Sequence, residues 1–204
     1  MPLSRRSALK TACLSLVLAA ALMAAAVPLA AQDRPLWLRY PAISPDGSTI
    51  LFCYQGDIYK VPAGGGQALP LTLSEAYDFA PVWSHDGRSI AFASDRYGNF
   101  DVFLMPAGGG EAKRLTFHSG ADIPSAFTAD DKAVLFGATR QDAAANVQFP
   151  MGALPELYSA PVAGGEAALV MTQPAIAAVV DGSGTKVLYH DQKGYESEWR
   201  KHHT

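Results

Sequence analysis

The side chains of this sequence that could act as acids or nucleophiles recur in one short pattern. Aspartate followed by glycine appears at Asp46-Gly47 and at Asp86-Gly87, and a serine, Ser44 or Ser84, stands two positions before each aspartate. An aspartate that bonds the backbone ahead of it, next to a glycine that accepts positive φ, closes a tight turn. These serines also lack the G-x-S-x-G context of a nucleophile elbow. The pattern therefore predicts hairpin turns, and we assign no catalytic residue to it.

Glycine runs at 64–66, 108–110 and 164–165 invite comparison with phosphate-binding loops. A phosphate loop has G-x-G-x-x-G spacing, or a Lys-Ser/Thr pair that opens a helix. None of the three runs has either feature. We expect them to be hairpin loops, and we predict no cofactor site.

An acidic residue stands just before a predicted strand at three places in the chain, and an aromatic residue follows each acid two positions later. One interpretation is an acidic ligand pocket where the strands converge. The interpretation that we favour packs the aromatic rings between neighbouring sheets and bonds the acids to neighbouring turns. The acids are Asp57, Asp101 and Glu156, and the aromatic residues are Tyr59, Phe103 and Tyr158.

The five histidines do not have the spacing of a metal site. His85, His118 and His190 fall in separate parts of the chain, without the short intervals that ligands of one ion require. His202 and His203 are adjacent, so in a strand they would point to opposite faces. We therefore predict no metal site.

These residues recur because the chain itself repeats, which is the observation that decides the fold. The text YPAISPDGSTILFCYQGDIYKVPAGGGQALPLT at 40–72 returns as APVWSHDGRSIAFASDRYGNFDVFLMPAGGGEAKRLT at 80–116. A third copy covers 123–172 with an insertion, and a fourth begins at position 175. The turn aspartates Asp46, Asp86 and Asp130 are 40 and 44 residues apart.

Each copy contains four short apolar segments separated by turn residues, which is typical of four short strands. In the first copy they are 41–43, 50–52, 57–61 and a segment that ends in Leu-Thr. A four-stranded sheet of this size cannot bury both faces alone, and a period near 40 residues is that of a propeller blade. The sequence predicts an all-β fold, an incomplete β-propeller of four-stranded antiparallel blades. Three blades, at about 40–73, 80–117 and 122–172, precede part of a fourth at 175–204.

The amino terminus has the three-part layout of an export signal. Arg5, Arg6 and Lys10 precede an Ala/Leu-rich run at 11–27, and small residues follow it. We predict a helical signal peptide at 1–31 that is cleaved between Ala26 and Gln32, so the propeller occupies 32–204. The arginine pair leaves both the Sec and the twin-arginine routes open. An uncleaved membrane anchor is the alternative; cleavage would place the protein in the periplasm or outside the cell.

Charge and cysteine content exclude some partners and cross-links. The net charge is −3, and the segment after residue 31 has 13 basic against 19 acidic residues, or −6. Nucleic-acid binding requires clustered Lys and Arg, so we expect no nucleic-acid partner. Cleavage would remove Cys13 and leave Cys53 alone, which excludes an internal disulfide.

The repeated boxes, xSPDGxxIxF followed by GxxDIYxVPxxGGxxxxLT, resemble the repeats of the TolB propeller and of propellers in several exported peptidases. The text at 148–165, QFPMGALPELYSAPVAGG, and at 188–204, LYHDQKGYESEWRKHHT, resembles the first propeller of tricorn-like serine peptidases of the S41 family. This likeness implies a propeller that precedes further propeller, PDZ and catalytic domains and that channels peptides toward the active site. Its partners would be peptides or unfolded protein and the downstream domains of the same chain.

In that family catalysis is carried by Ser and His residues of the later domains, so the resemblance assigns no catalytic residue here. It implies that this chain is the amino-terminal fragment of a longer hydrolase. Two alternatives stay open: a TolB-like periplasmic propeller that binds proteins, and the propeller of a prolyl-oligopeptidase-like enzyme. Self-association into a homo-oligomer also stays open.

The third copy carries an insertion at 141–152 that the other copies lack. Long insertions between strands lie on the surface and often carry recognition. We therefore predict a recognition surface there, with Asn146, Gln148 and Met151 as its candidate residues.

Overall fold

The computed structural model describes residues 37–140, 155–171, 175 and 177–190. Every regular element in these ranges is a β-strand. The same ranges contain no helix that is long and apolar enough to cross a membrane. The predicted signal peptide at 1–31 and the recognition residues Asn146, Gln148 and Met151 lie outside the described residues.

The strands form four antiparallel sheets in chain order, which confirms the predicted fold class. Three sheets have four strands and the last has two, as expected of an incomplete propeller. Blade 1 contains β1 (Arg39–Ile43), β2 (Thr49–Tyr54), β3 (Asp57–Pro62) and β4 (Leu69–Pro70); blade 2 contains β5 (Asp78–Trp83), β6 (Ser89–Ser94), β7 (Asp101–Pro106) and β8 (Lys113–Arg114); blade 3 contains β9 (Asp122–Phe127), β10 (Ala133–Ala138), β11 (Glu156–Pro161) and β12 (Ala168–Met171); and the last sheet contains β13 (Ala177–Val180) and β14 (Val187–His190).

The fourth strands of blades 1 and 2 are shorter than the sequence predicts, because the Leu-Thr pair lies beyond β4 and β8. The Thr72 hydroxyl accepts the backbone N–H of Ile58 at 2.9 Å, and the Thr116 hydroxyl accepts that of Val102 at 2.9 Å. A side-chain oxygen therefore takes the place of the strand carbonyl that would continue the ladder. The pair thus ends each blade and turns the chain toward the next.

The S-x-D-G boxes form the predicted turns between first and second strands. Asp46 accepts hydrogen bonds from the Ser44 hydroxyl at 2.6 Å and the Ser48 backbone N–H at 3.0 Å, and Gly47 has φ of +72°. The bond from Ser44, with those from Ser48, lowers the pKa of Asp46 to about 2. Hydrogen bonds of the same kind lower the pKa values of the corresponding aspartates Asp86, Asp130 and Asp181.

The turn aspartate makes the stability of the blade depend on acid pH. The pKa of Asp46 falls from 3.8 to about 2 on folding, so its carboxylate stabilises the fold above pH 3.8. This contribution disappears as the pH falls through about 2. We expect Asp46→Asn to lower the thermal unfolding midpoint near neutral pH and the difference from the unmodified chain to shrink toward pH 2. Calorimetric scans across that range test this, and a difference that stays constant with pH would contradict it.

The first strands of successive blades contact one another, β1 with β5, β5 with β9 and β9 with β13. The sheets therefore fan out from a common line, which we call the axis. Because the strands alternate in direction, the starts of the first and third strands lie at one edge, here named the upper edge. The S-x-D-G turns and the glycine loops lie at the opposite, lower edge.

The core lies between the sheets and not within any one of them. Leu51, Cys53 and Ile58 of blade 1 pack against Phe92 and Phe103 of blade 2. A second cluster joins blades 2 and 3, and a third joins blade 3 to β13. Burial raises the pKa of the Cys53 thiol to about 12, so it stays protonated and unreactive.

One contact at the lower edge ties blades 2 and 3 together. The third copy has Asp131 where the first two have Gly47 and Gly87, and it adopts φ of +55°. Its carboxylate accepts the backbone N–H groups of His85 and Asp86 at 2.8 and 2.9 Å, and it lies 2.8 Å from His85 Nδ1. An aspartate therefore replaces the turn glycine here and bonds the turn of blade 2. This contact gives His85 a structural role.

Candidate functional site

A buried aspartate at the upper edge forms an ion pair with an arginine of its own blade, and the same pair occurs in blades 2 and 3. Asp78 begins β5, and its Oδ2 lies 2.8 Å from Nη2 of Arg96, which follows β6. The pair returns 44 residues later, where Asp122 and Arg140 are 2.9 Å apart. Both aspartate side chains are fully buried, and burial raises the pKa of Asp122.

Each of these guanidinium groups also lies over aromatic rings of its own blade. Arg96 is 5.4 Å from the ring centre of Phe92 and 5.2 Å from that of Phe103. Arg140 stands in the same way over Phe136 and Tyr158, at 5.2 and 4.7 Å. Because these rings face the preceding blade, the Asp-Arg-aromatic group fixes one sheet on the next, and we assign it a structural role.

The acids singled out in the sequence are also bonded within the fold. Asp101 is fully buried and 2.6 Å from Nη2 of Arg114, and burial raises its pKa. Asp57 accepts the Thr72 hydroxyl at 3.2 Å. Asp57 thus bonds the segment that follows β4, and Asp101 bonds the last residue of β8. Glu156 differs, because it accepts the Tyr158 hydroxyl two residues along its own strand, at 2.9 Å.

Two of the three predicted inter-sheet aromatics are buried between blades, namely Phe103 and Tyr158. Tyr59 is different. It stacks on Phe52, with ring centres 5.7 Å apart, and remains half-buried on the face of blade 1 directed away from blade 2. In the part of the chain that the structure describes, no sheet covers that face, which explains the exposure.

The structure does not gather the remaining polar candidates into a site. Ser44 and Ser84 bond their turn aspartates, and His118 Nδ1 accepts the backbone N–H of Gly120 at 2.9 Å. Among the described residues no three His, Cys, Asp or Glu side chains are grouped so as to hold a metal ion. His190 lies on β14, whereas His202 and His203 lie outside the described ranges.

A cluster of four aromatic rings lies at the upper edge where blades 1 and 2 meet. Phe79 is central, with ring-centre distances of 5.2 Å to Tyr40, 5.7 Å to Tyr77 and 4.9 Å to Phe100. Tyr40 and Tyr77 are 44% and 41% exposed and flank the half-buried Phe79. We call these four residues the tyrosine patch.

Local backbone features place the two tyrosines. Tyr40 lies in a bulge of β1, with φ of +52°, and a bulge re-aims a side chain relative to the regular strand. Tyr77 packs on Gly56, where a Cβ atom would come within 3.3 Å of its ring. The backbone N–H of Tyr77 donates to Asp95 Oδ1 at 2.7 Å, which fixes the chain just before β5.

The tyrosine patch departs in part from the repeat. The positions 40 residues after Tyr40 and 44 residues after Phe79 hold Ala80 and Ile123, whereas the position 40 residues before Tyr77 holds Trp37, which is 74% exposed. Exposed aromatics at these positions are not part of the blade core, so they are available for recognition. A position-by-position comparison of the repeat copies identifies these residues from the sequence, whereas a search for catalytic motifs does not.

Acidic groups adjoin the tyrosine patch. Asp95 bonds Tyr77, and Asp57 accepts the backbone N–H of Ser74 at 3.4 Å in the same connection between β4 and β5. Glu75 is exposed in that connection. Arg96, next to Asp95, is paired with Asp78, whereas Arg39, next to Tyr40, lies 5.2 Å over the Trp37 ring and keeps its charge. The patch therefore carries an acidic rim of Asp57, Glu75 and Asp95.

A second open feature lies between blades 2 and 3. A groove of about 380 Å³ runs beside Phe117 and His118 and reaches Arg140 and Glu166. Phe117 is 70% exposed, and its ring centre is 4.7 Å from the Arg114 guanidinium. Arg140 in this groove is already paired with the buried carboxylate of Asp122.

Comparisons of structure show the fold. TolB from Acinetobacter baumannii is 21% identical, with a TM-score of 0.60 over 78% of this chain and 39% of TolB. A chain of the nidogen/laminin complex is 9% identical, with a TM-score of 0.59 over 76% of this chain and 56% of that chain. The tricorn protease is 15% identical, with a TM-score of 0.46 over 61% of this chain and 14% of that chain. The chain thus spans less than half the length of TolB.

Comparison with curated proteins gives no match. The family described as the tricorn protease N-terminal beta propeller domain matches residues 35–204. That range includes all four described sheets and extends over most of the chain. The blade repeat, the sheet order and this match agree, and the chain belongs to the family of tricorn protease N-terminal β-propeller domains.

Proposed function

We propose that this chain is the non-catalytic propeller portion of an exported tricorn-like serine peptidase of the S41 family. It admits or positions peptide substrates for a catalytic domain that is not part of residues 1–204. The observation that carries this proposal is the family match over 35–204. The bonding of the candidate serines and acids, and of His85 and His118, within turns and blade contacts supports a binding role over a chemical one.

The upper edge supports the assignment to peptides. The tyrosine patch offers two exposed phenol rings around a half-buried ring, and aromatic side chains of this kind contribute large contact area at low conformational cost. We propose that an unstructured peptide binds across this patch between the two blades.

Binding of unstructured peptides tests the proposal. The full-length protein should be recovered from the periplasmic or extracellular fraction, with its amino terminus between Ala26 and Gln32. We expect fluorescein-labelled unstructured peptides to give a saturable rise in anisotropy with it, and small folded proteins to give none.

Two results would contradict the proposal. Retention of the protein in the cytoplasm would remove the export assignment. Binding of a folded envelope protein, without binding of unstructured peptides, would instead favour a TolB-like role.

A further inference from the structure

Building on the proposed function, we infer that the tyrosine patch with its acidic rim selects cationic segments of unstructured peptides. The site is the tyrosine patch, with its acidic rim of Asp57, Glu75 and Asp95 beside it. Its ligand is a lysine or arginine side chain on an extended peptide. This assigns a substrate preference to a surface between blades 1 and 2.

The ring geometry provides the first part of the argument. Tyr40 and Tyr77 each lie within 6 Å of Phe79, at 5.2 and 5.7 Å between ring centres, with the rings inclined by 55° and 52°. The Tyr40 and Tyr77 rings therefore flank Phe79 and are inclined to its ring. Aromatic faces attract ammonium and guanidinium groups through their quadrupole. The proposed cation would contact the exposed Tyr40 and Tyr77 rings.

The fold itself shows that such contacts form in this chain. Arg114 lies 4.6 Å from the Tyr97 ring centre and 4.7 Å from that of Phe117, between two aromatic faces. That arginine is held by the buried carboxylate of Asp101. The tyrosine patch also combines rings with carboxylates, but among the described residues no lysine or arginine lies over its rings.

Charge provides the second part. Asp95 lies directly against the backbone of Tyr77, and Glu75 is exposed two residues before it. Arg96 is bound to Asp78, and Arg39 stands over Trp37. Asp57, Glu75 and Asp95 outnumber Arg39, the exposed cation next to Tyr40, so the charge beside the rings is net negative. The segment after residue 31 carries −6 overall. Long-range attraction would steer cationic peptides toward it and weaken with added salt.

Three peptides and three variants test the inference on the full chain. The peptides are acetylated, share a Gly/Ser/Leu framework and carry lysine, glutamine or glutamate at the same positions. We expect the lysine peptide to bind about fivefold more tightly than the glutamine peptide, and the glutamate peptide to bind most weakly. Tyr77→Leu, which removes the π face, and Glu75→Gln, which removes only charge, should each abolish most of that preference. Phe117→Ala, an exposed aromatic in the other groove, is the control and should leave it unchanged.

The outcomes separate this inference from the proposed function. Equal binding of all three peptides would overturn the charge preference while leaving peptide binding intact. A lysine preference that survives in both Glu75→Gln and Tyr77→Leu, or that Phe117→Ala abolishes equally, would place the site elsewhere and also overturn it. Absence of binding by any peptide would overturn the proposed function itself. If Tyr77→Leu fails to fold, Glu75→Gln decides.

Discussion

Truncation of Phe92 to alanine is expected to lower the free energy of unfolding by about 4 kcal/mol, the range found for buried aromatic residues. Phe92 is fully buried and packs between blades 1 and 2 with Phe103. The substitution leaves a cavity that the two sheets cannot close, because β5 and β6 are fixed by their own ladder. It also removes one of the two rings beneath Arg96.

The repeat supplies a matched control for this prediction. Phe52 occupies the same position in blade 1, 40 residues earlier, and stacks on Tyr59 as Phe92 stacks on Phe103. Phe52 is only half-buried and has no arginine over it in the described structure. Phe52→Ala should therefore cost about 1–2 kcal/mol. Urea unfolding followed by tryptophan fluorescence measures both, and equal losses would mean that Phe52 is covered as Phe92 is.

Replacement of Arg96 by methionine is expected to lower the free energy of unfolding by about 3 kcal/mol. Methionine retains the apolar stem over Phe92 and Phe103 but leaves the fully buried carboxylate of Asp78 without its cation. The expected loss of unfolding free energy lies at the lower end of the range for broken buried pairs, because the Arg96 side chain is 25% exposed to solvent. Trp83, whose indole N–H donates to the Ala42 carbonyl at 3.2 Å, reports on this interface by fluorescence.

Two further variants make this prediction specific to the buried pair. Arg88→Met removes an arginine that is 85% exposed and 3.9 Å from Asp86, and such surface pairs contribute about 0–1 kcal/mol. The double variant Arg96→Met/Asp78→Asn should cost less than the sum of its single changes, because neither partner then leaves a buried charge unpaired. Additive losses, or an Arg96→Met loss no larger than that of Arg88→Met, would show that the buried Asp78–Arg96 pair does not stabilise the fold as predicted.

Most of the fold was determined by local chemistry that the sequence displays. The S-x-D-G turns and the glycine loops depend on residues within a few positions of each other, and Asp46 accepts the backbone N–H of Ser48 ahead of it, as predicted. Strand positions followed from the same signals, because a turn at each end limits where a strand can lie. The repeat then required sheets that stack, since one face of each sheet is otherwise unburied.

The candidate site depended on contacts that no local pattern contains. Tyr40 and Phe79 belong to different sheets, and Arg96 reaches Asp78 only because the loop after β6 passes beside the start of β5. The exposure of Tyr59 against the burial of Phe103 was likewise decided by which faces neighbouring sheets cover. The sequence by itself therefore determined the blades and their order, because turns and ladders are short-range. Only the tertiary structure decided which side chains meet between blades, because those meetings depend on how separate sheets are stacked about the axis.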